Sequence, residues 1–144
     1  MEQKEQIINE IFERFVDKAY PSKELVFDAL KNRKLKIYLG IDPTGPHLHL
    51  GHATNLLVLK KFQKLGHNVI FLIGDFTGRI GDPTDKTSAR KQLTKKEVEK
   101  NMMTFKNQAS KLLKFTGSNA VKLERNSKWH SKMTFEKLIS LAQN

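Results

Sequence analysis

Ile7, Ile8, Ile11, Phe12, Phe15 and Val16 recur at helical spacing on an otherwise charged stretch, which predicts an amphipathic helix over residues 4–18. Tyr20-Pro21-Ser22 ends it, and Ser22 can cap a second helix carrying Leu25, Val26, Ala29 and Leu30. The pattern then changes. LKIYLGI (Leu35–Ile41) is a short apolar run stopped by Asp42-Pro43-Thr44-Gly45-Pro46, which predicts a buried strand and a rigid turn. Helical spacing returns over His49–Leu65, with Leu56, Leu59 and Phe62 on the buried side and Gly66 as the stop. NVIFLIG (Asn68–Gly74) shows no alternation and predicts a second strand covered on both faces. Strand, helix and strand in that order make a βαβ unit with parallel strands.

The polar stretch GDFTGRIGDPTDKT (74–87) is long for a connection within a compact unit, and loops of that length usually carry function. Thr94 and Glu97 match a capping box opening a helix that runs to about Phe115 and stops near Gly117. AVKLE predicts a short strand, NSKWHSK a loop, and Thr134 the cap of a last helix, FEKLISLAQN. The fold class is α/β, a parallel sheet with flanking helices, with a helical segment over 1–34 preceding the βαβ-containing part over 35–144.

Composition narrows the reading only a little. The 144 residues hold no cysteine, so disulfides and thiolate metal sites are excluded, in keeping with a cytoplasmic protein. No apolar run approaches the roughly 20 residues of a membrane span, and the charged start of the chain is no secretory signal. Charge says more. Twenty-six basic against 15 acidic residues give +11, a field that favours polyanions such as nucleotides and nucleic acid. The lysines between Lys95 and Lys114 could touch an RNA, or simply form a solvated helix face.

HLHLGHATNLL places His49 and His52 three apart at the start of a predicted helix, hence on one face of its first turn. Free N–H groups and the positive end of the helix dipole attract phosphate there, and two imidazoles add donors. Gly51 between them leaves room for a base or sugar against the backbone. Zinc is the weaker reading, since it needs a third ligand and its usual helical pair is spaced i, i+4. Two polar segments, 42–48 and 74–87, leave from the carboxyl ends of predicted strands, where open α/β sheets bind ligands.

YLGIDPTGPHLHLGHATNLLVLKKFQKLGH followed by VIFLIGDFTGRIGDPTDKTSAR closely resembles the bacterial tyrosine–tRNA ligases, class I aminoacyl-tRNA synthetases. His49-Leu50-Gly51-His52 matches their H-I-G-H signature, and the resemblance covers about residues 35–144. It implies the N-terminal half of a Rossmann-like catalytic domain, preceded by N-terminal helices. The implied reaction joins tyrosine to ATP, brought with Mg2+, and passes the tyrosyl group to tRNA(Tyr), with no metal ligated by protein side chains. By match, Thr44, His49, His52, Lys86 and Arg90 would act on the phosphates during transfer. Gly40, Asp42, Gly51 and Asn55 would border ATP, and Tyr38, Asp75, Thr77 and Asp82 the tyrosine. The family implies a homodimer at full length, and no membrane. Leu50 stands where the signature has Ile, and Asn55 where one branch has Thr. The second signature, K-M-S-K-S, is absent, so the chain reads as truncated. Alone it is expected to be marginally stable, with little or no ligase activity. Tryptophan–tRNA ligase, and an RNA- or partner-binding module without catalysis, are the competing readings.

Overall fold

The computed structural model describes residues 2–80 and 92–143. Two helices come first, α1 (Glu2–Arg14) and α2 (Lys23–Asn32), the second capped by Ser22, whose hydroxyl accepts the Leu25 N–H. Then follow β1 (Lys36–Ile41), α3 (Leu50–Lys64) and β2 (Asn68–Ile73), with β1 and β2 parallel and paired Lys36 to Asn68 through Ile41 to Ile73. A short 3-10 turn at Thr77–Arg79 leads on. Beyond it lie α4 (Lys95–Met102), α5 (Phe105–Ala109), β3 (Lys122–Arg125), α6 (Ser127–His130) and α7 (Phe135–Ala142). The three strands lie in the order β1-β2-β3, all parallel, so β2 is central. None of the described helices is long and apolar enough to cross a membrane.

One core joins sheet and helices. Ile41, Val69, Phe71 and Ile73 meet Leu56 and Leu59 of α3, then Phe105, Ala109 and Leu113, all buried. Phe71 is fully buried and meets the Phe115 ring edge-on. A second cluster packs Ile8, Phe12 and Leu30 of α1 and α2 toward Ile37, Phe62 and Leu65, so Phe62 of α3 serves both cores.

Burial along the strands corrects the expectation of two fully covered strands. β1 and β2 both alternate, with Val69, Phe71 and Ile73 buried between half-buried Ile70 and Leu72. β1 is an outer strand, and its Tyr38 is 69 % exposed. The described helices gather their core side chains on one face of the sheet, so the other keeps the alternation typical of a one-sided sheet. A second correction concerns Thr94–Phe115. The Thr94–Glu97 capping box is present, but the helix it opens stops at Met102, and a new short one starts at Phe105. This segment spends its polar side chains on the 43–48 turn, a tertiary demand that local spacing does not reveal. The loop expected at NSKWHSK contains one helical turn, α6, whose first N–H and hydroxyl both donate to the Asp75 carboxylate (2.9 and 2.7 Å). Gly66, just past α3, has φ of +87°, the left-handed form that ends helices; Gly117 also has positive φ, +90°, but it lies well beyond the end of α5 at Ala109 and closes no helix, against the expectation of one running to about Phe115.

His67 sets a pH limit on this packing. It is 1 % exposed, its Nδ1 accepts the Leu35 N–H (3.2 Å), and its Nε2 has no hydrogen-bond partner among the described residues. Burial first, and the positive Lys4 second, hold the imidazole below its ordinary value. The folded state therefore binds the proton less readily than the unfolded chain, so this contribution is present above about pH 6.5 and is lost as pH falls below it. We expect the urea midpoint to drop between pH 7 and pH 5, and the drop to shrink in His67→Gln. An equal drop in both proteins would remove His67 from the explanation.

Candidate nucleotide site at the strand ends

β1 ends at Ile41, and the chain turns at once, with the Thr44 N–H donating to the Asp42 carbonyl (2.8 Å) and Pro43 buried beneath. It passes through Gly45, Pro46, His47 and Leu48 and enters α3 with His49 as the N-cap, in extended backbone geometry. The His49 and His52 rings stack, centroids 3.7 Å apart and 23° from parallel, and the His49 N–H donates to His52 Nδ1 (3.2 Å). That bond fixes the tautomer, leaving the His52 proton on Nε2. Burial, and then the neighbouring His49, lower the His52 affinity for a second proton, so the ring is neutral at pH 7. A Cβ on Gly51 would sit 3.1 Å from the His49 ring, so glycine gives the stacked imidazoles their room. The His52 N–H turns to the His49 side chain in a reciprocal capping box, and the result is a helix start whose Leu50 and Gly51 N–H groups, positive dipole end and His52 Nε2 donor suit a phosphate.

The end of β2 meets the end of β1 directly. Asp42 lies over Gly74, and its Oδ1 accepts the Thr77 hydroxyl (2.6 Å). Thr77 Oγ1 in turn accepts from the Asn126 amide (2.9 Å), and Asn126 Oδ1 accepts the Phe76 N–H (2.9 Å). The Asn126 N–H also donates to the Ile73 carbonyl (3.0 Å). One buried asparagine, 6 % exposed, thereby joins the carboxyl end of β3 to those of β2 and β1.

The structure brings Asp42, Thr44, His49, Gly51, His52, Gly74 and Thr77 to one end of the sheet. Tyr38 and Gly40 lie on the open face of β1, and Asn55 is exposed one turn into α3 beyond His52. Asp75 is committed to the start of α6 through both carboxylate oxygens. Asp82, Lys86 and Arg90 fall outside the described residues. Asn126 was missed by sequence reasoning. Its only local signal is its position just past a short strand, where open sheets gather ligand-facing groups. A groove of about 600 Å³ between Lys60, Lys64, Leu112, Lys114 and Asn119 lies near the other end of α3 and touches none of these residues. A smaller cleft of about 240 Å³ borders the site through Asp75, Arg79, Arg125 and Ser127.

A parallel sheet with flanking helices, its polar groups gathered beyond the carboxyl ends of the strands, is the arrangement in which open α/β proteins bind ligands. Residues 30–144 match the family described as tRNA synthetases class I (W and Y), and the chain belongs to that family. It is 46 % identical over 140 residues to a tyrosine–tRNA ligase of Photobacterium profundum, covering 97 % of this chain and 34 % of that protein. It is 47 % identical over 131 residues to tyrosine–tRNA ligase 2 of Vibrio cholerae, covering 91 % of this chain and 32 % of that one. The chain thus spans about a third of the length of the curated relatives it matches. Among solved structures, it superposes on a C-terminally truncated mitochondrial tyrosyl-tRNA synthetase of Aspergillus nidulans with a TM-score of 0.72 at 23 % identity, covering 96 % of this chain and 45 % of that one. The Coccidioides posadasii counterpart gives 0.76 at 20 % identity, covering 97 % and 43 %. At those identities the superpositions speak for the fold.

Proposed function

We propose that these residues form the N-terminal part of a tyrosine–tRNA ligase, the nucleotide-binding first half of its catalytic domain. In this reading a tyrosine carboxylate oxygen attacks the α-phosphorus of ATP, the bond to the β-phosphate breaks, and pyrophosphate leaves. A hydroxyl at the 3′ end of tRNA(Tyr) then takes the tyrosyl group from the adenylate, and AMP leaves. The observation that carries the proposal is the stacked His49–His52 pair at the start of α3, set beside the Asp42–Thr77–Asn126 network. The reaction asks the protein for in-line alignment and charge stabilisation rather than covalent chemistry. His49, Thr44 and the helix N–H groups meet the phosphates, with Lys86 and Arg90 closing on pyrophosphate. Gly51, His52 and Asn55 hold the ribose and base, beside Gly40 and Asp42. Tyr38 and Thr77 face the tyrosine side, Asp75 supports it through Ser127, and Asp82 receives the ammonium as a charge-assisted partner. ATP enters as its Mg2+ complex, and the working unit is a cytoplasmic homodimer.

Amino-acid-dependent ATP–pyrophosphate exchange by the complete gene product tests this. Tyrosine is expected to drive exchange, and the other amino acids are not. Exchange driven by tryptophan would move the assignment to the other branch of the family. No exchange with any amino acid, together with salt-sensitive RNA binding, would replace the enzyme with a binding module.

A further inference from the structure

The segment between strand end and helix start is held from outside. Among the described residues, its only backbone–backbone hydrogen bond is the one from Thr44 to Asp42, until the Ala53 N–H donates to the His49 carbonyl inside α3. Asp42 is held by the Thr77 hydroxyl and the His49 N–H by His52, and between them the anchors are side chains of α4, α5 and the turn that joins them. Gln108 Oε1 accepts the Leu48 N–H (2.9 Å), and its Nε2 donates to the Pro46 carbonyl (2.9 Å) and to Thr104 Oγ1 (2.7 Å). The Thr104 hydroxyl donates to the same Pro46 carbonyl (2.8 Å), and Asn101 donates to the Pro43 carbonyl (3.0 Å).

A primary amide carries a donor and an acceptor side by side in one plane. The Pro46 carbonyl and the Leu48 N–H flank His47, and Gln108 pairs with both, as a neighbouring strand would. Its own base is rigid, because Phe105, Ala109 and Leu113 are at most 1 % exposed in the main core. We propose that Gln108 is a positioning residue for adenylyl transfer, with Thr104 in support: it ties the approach to α3 to the hydrophobic core, and so sets where His49 and His52 stand relative to Asp42. This rests on the ATP-dependent activation proposed above. The chemistry itself stays with the groups that meet ATP.

Two variants of the complete gene product separate positioning from simple stability. Gln108→Leu keeps much of the side chain's bulk and removes both backbone bonds. Gln108→Glu keeps the acceptor for the Leu48 N–H and loses the donor to Pro46. In tyrosine-dependent exchange, Gln108→Leu is expected to lower kcat about 10-fold, within the range that small misplacements cost, with the KM for tyrosine little changed. Gln108→Glu is expected to recover part of the loss. An NMR titration of His52 supplies a readout that needs no turnover. Its midpoint is expected to rise toward that of an ordinary histidine in Gln108→Leu, as the stacked pair loosens.

An unchanged kcat in an active parent, or a kcat loss fully explained by a smaller folded fraction, would overturn the proposal. If the parent shows no exchange at all but the His52 midpoint moves in Gln108→Leu, the brace stands and the assigned reaction falls. If the midpoint does not move, the brace falls, whatever the reaction.

Discussion

Replacing Gly74 by alanine is expected to reduce exchange about 100-fold and to cost about 1–3 kcal/mol of stability, the range for forcing an extra carbon into a filled site. A Cβ at this position would fall on Asp42 Oδ1 and lie 2.6 Å from Thr77 Oγ1. Neither the strand nor the following turn can step aside easily. The Gly74 N–H donates to the Ile41 carbonyl (2.9 Å), and its own carbonyl accepts the Gly78 N–H (2.8 Å). Asp42 must therefore swing away, giving up the Thr77 hydroxyl and unlinking Asn126 from the end of β1. Gly40→Ala is the control, because a Cβ there meets only Leu72 at 3.8 Å, an ordinary contact, and should leave stability almost unchanged. Urea unfolding on both variants, with the exchange rate of Gly74→Ala, decides it. A Gly74→Ala protein that keeps exchange within a few-fold of the parent would mean that the position of Asp42 does not matter to the reaction.

Phe71→Ala is expected to cost about 3–5 kcal/mol, the range for emptying an aromatic site in a packed core. Phe71 is 0 % exposed on the central strand, faces the α3 and α5 side chains, and meets Phe115 edge-on with ring centroids 6.4 Å apart. Small domains are stable by only about 5–15 kcal/mol, so this loss takes a large part of the margin. Tyr38→Ala makes the comparison sharp. Tyr38 also belongs to the sheet, but it is 69 % exposed on the open face, and its loss should cost little. Circular dichroism through a urea titration measures both. Equal, small losses would show that the core is not organised around Phe71.

Much of this protein was legible locally. Ser22, Thr94 with Glu97, and Thr134 cap α2, α4 and α7 through hydrogen bonds reaching only three residues ahead, within the span that sequence spacing describes. The apolar runs of β1 and β2, separated by one amphipathic helix, determined a parallel pair. The same local order put His49 and His52 on the first turn of α3, beside the end of a strand. Tertiary structure decided what depends on distant partners. Covered and open strand faces look alike in a run of apolar residues, and only the position of the helices told them apart. The break at Met103–Thr104 follows from bonds to a turn about 60 residues earlier in the chain. Asn126 works through Thr77, 49 residues away, and Gly74 through a carboxylate on the neighbouring strand. Caps and periodicities are set by neighbours along the chain, so the sequence determined them. The bracing of Asp42, His49 and His52 is set by neighbours across the fold, and it existed only once β1, β2, β3 and α5 had packed together.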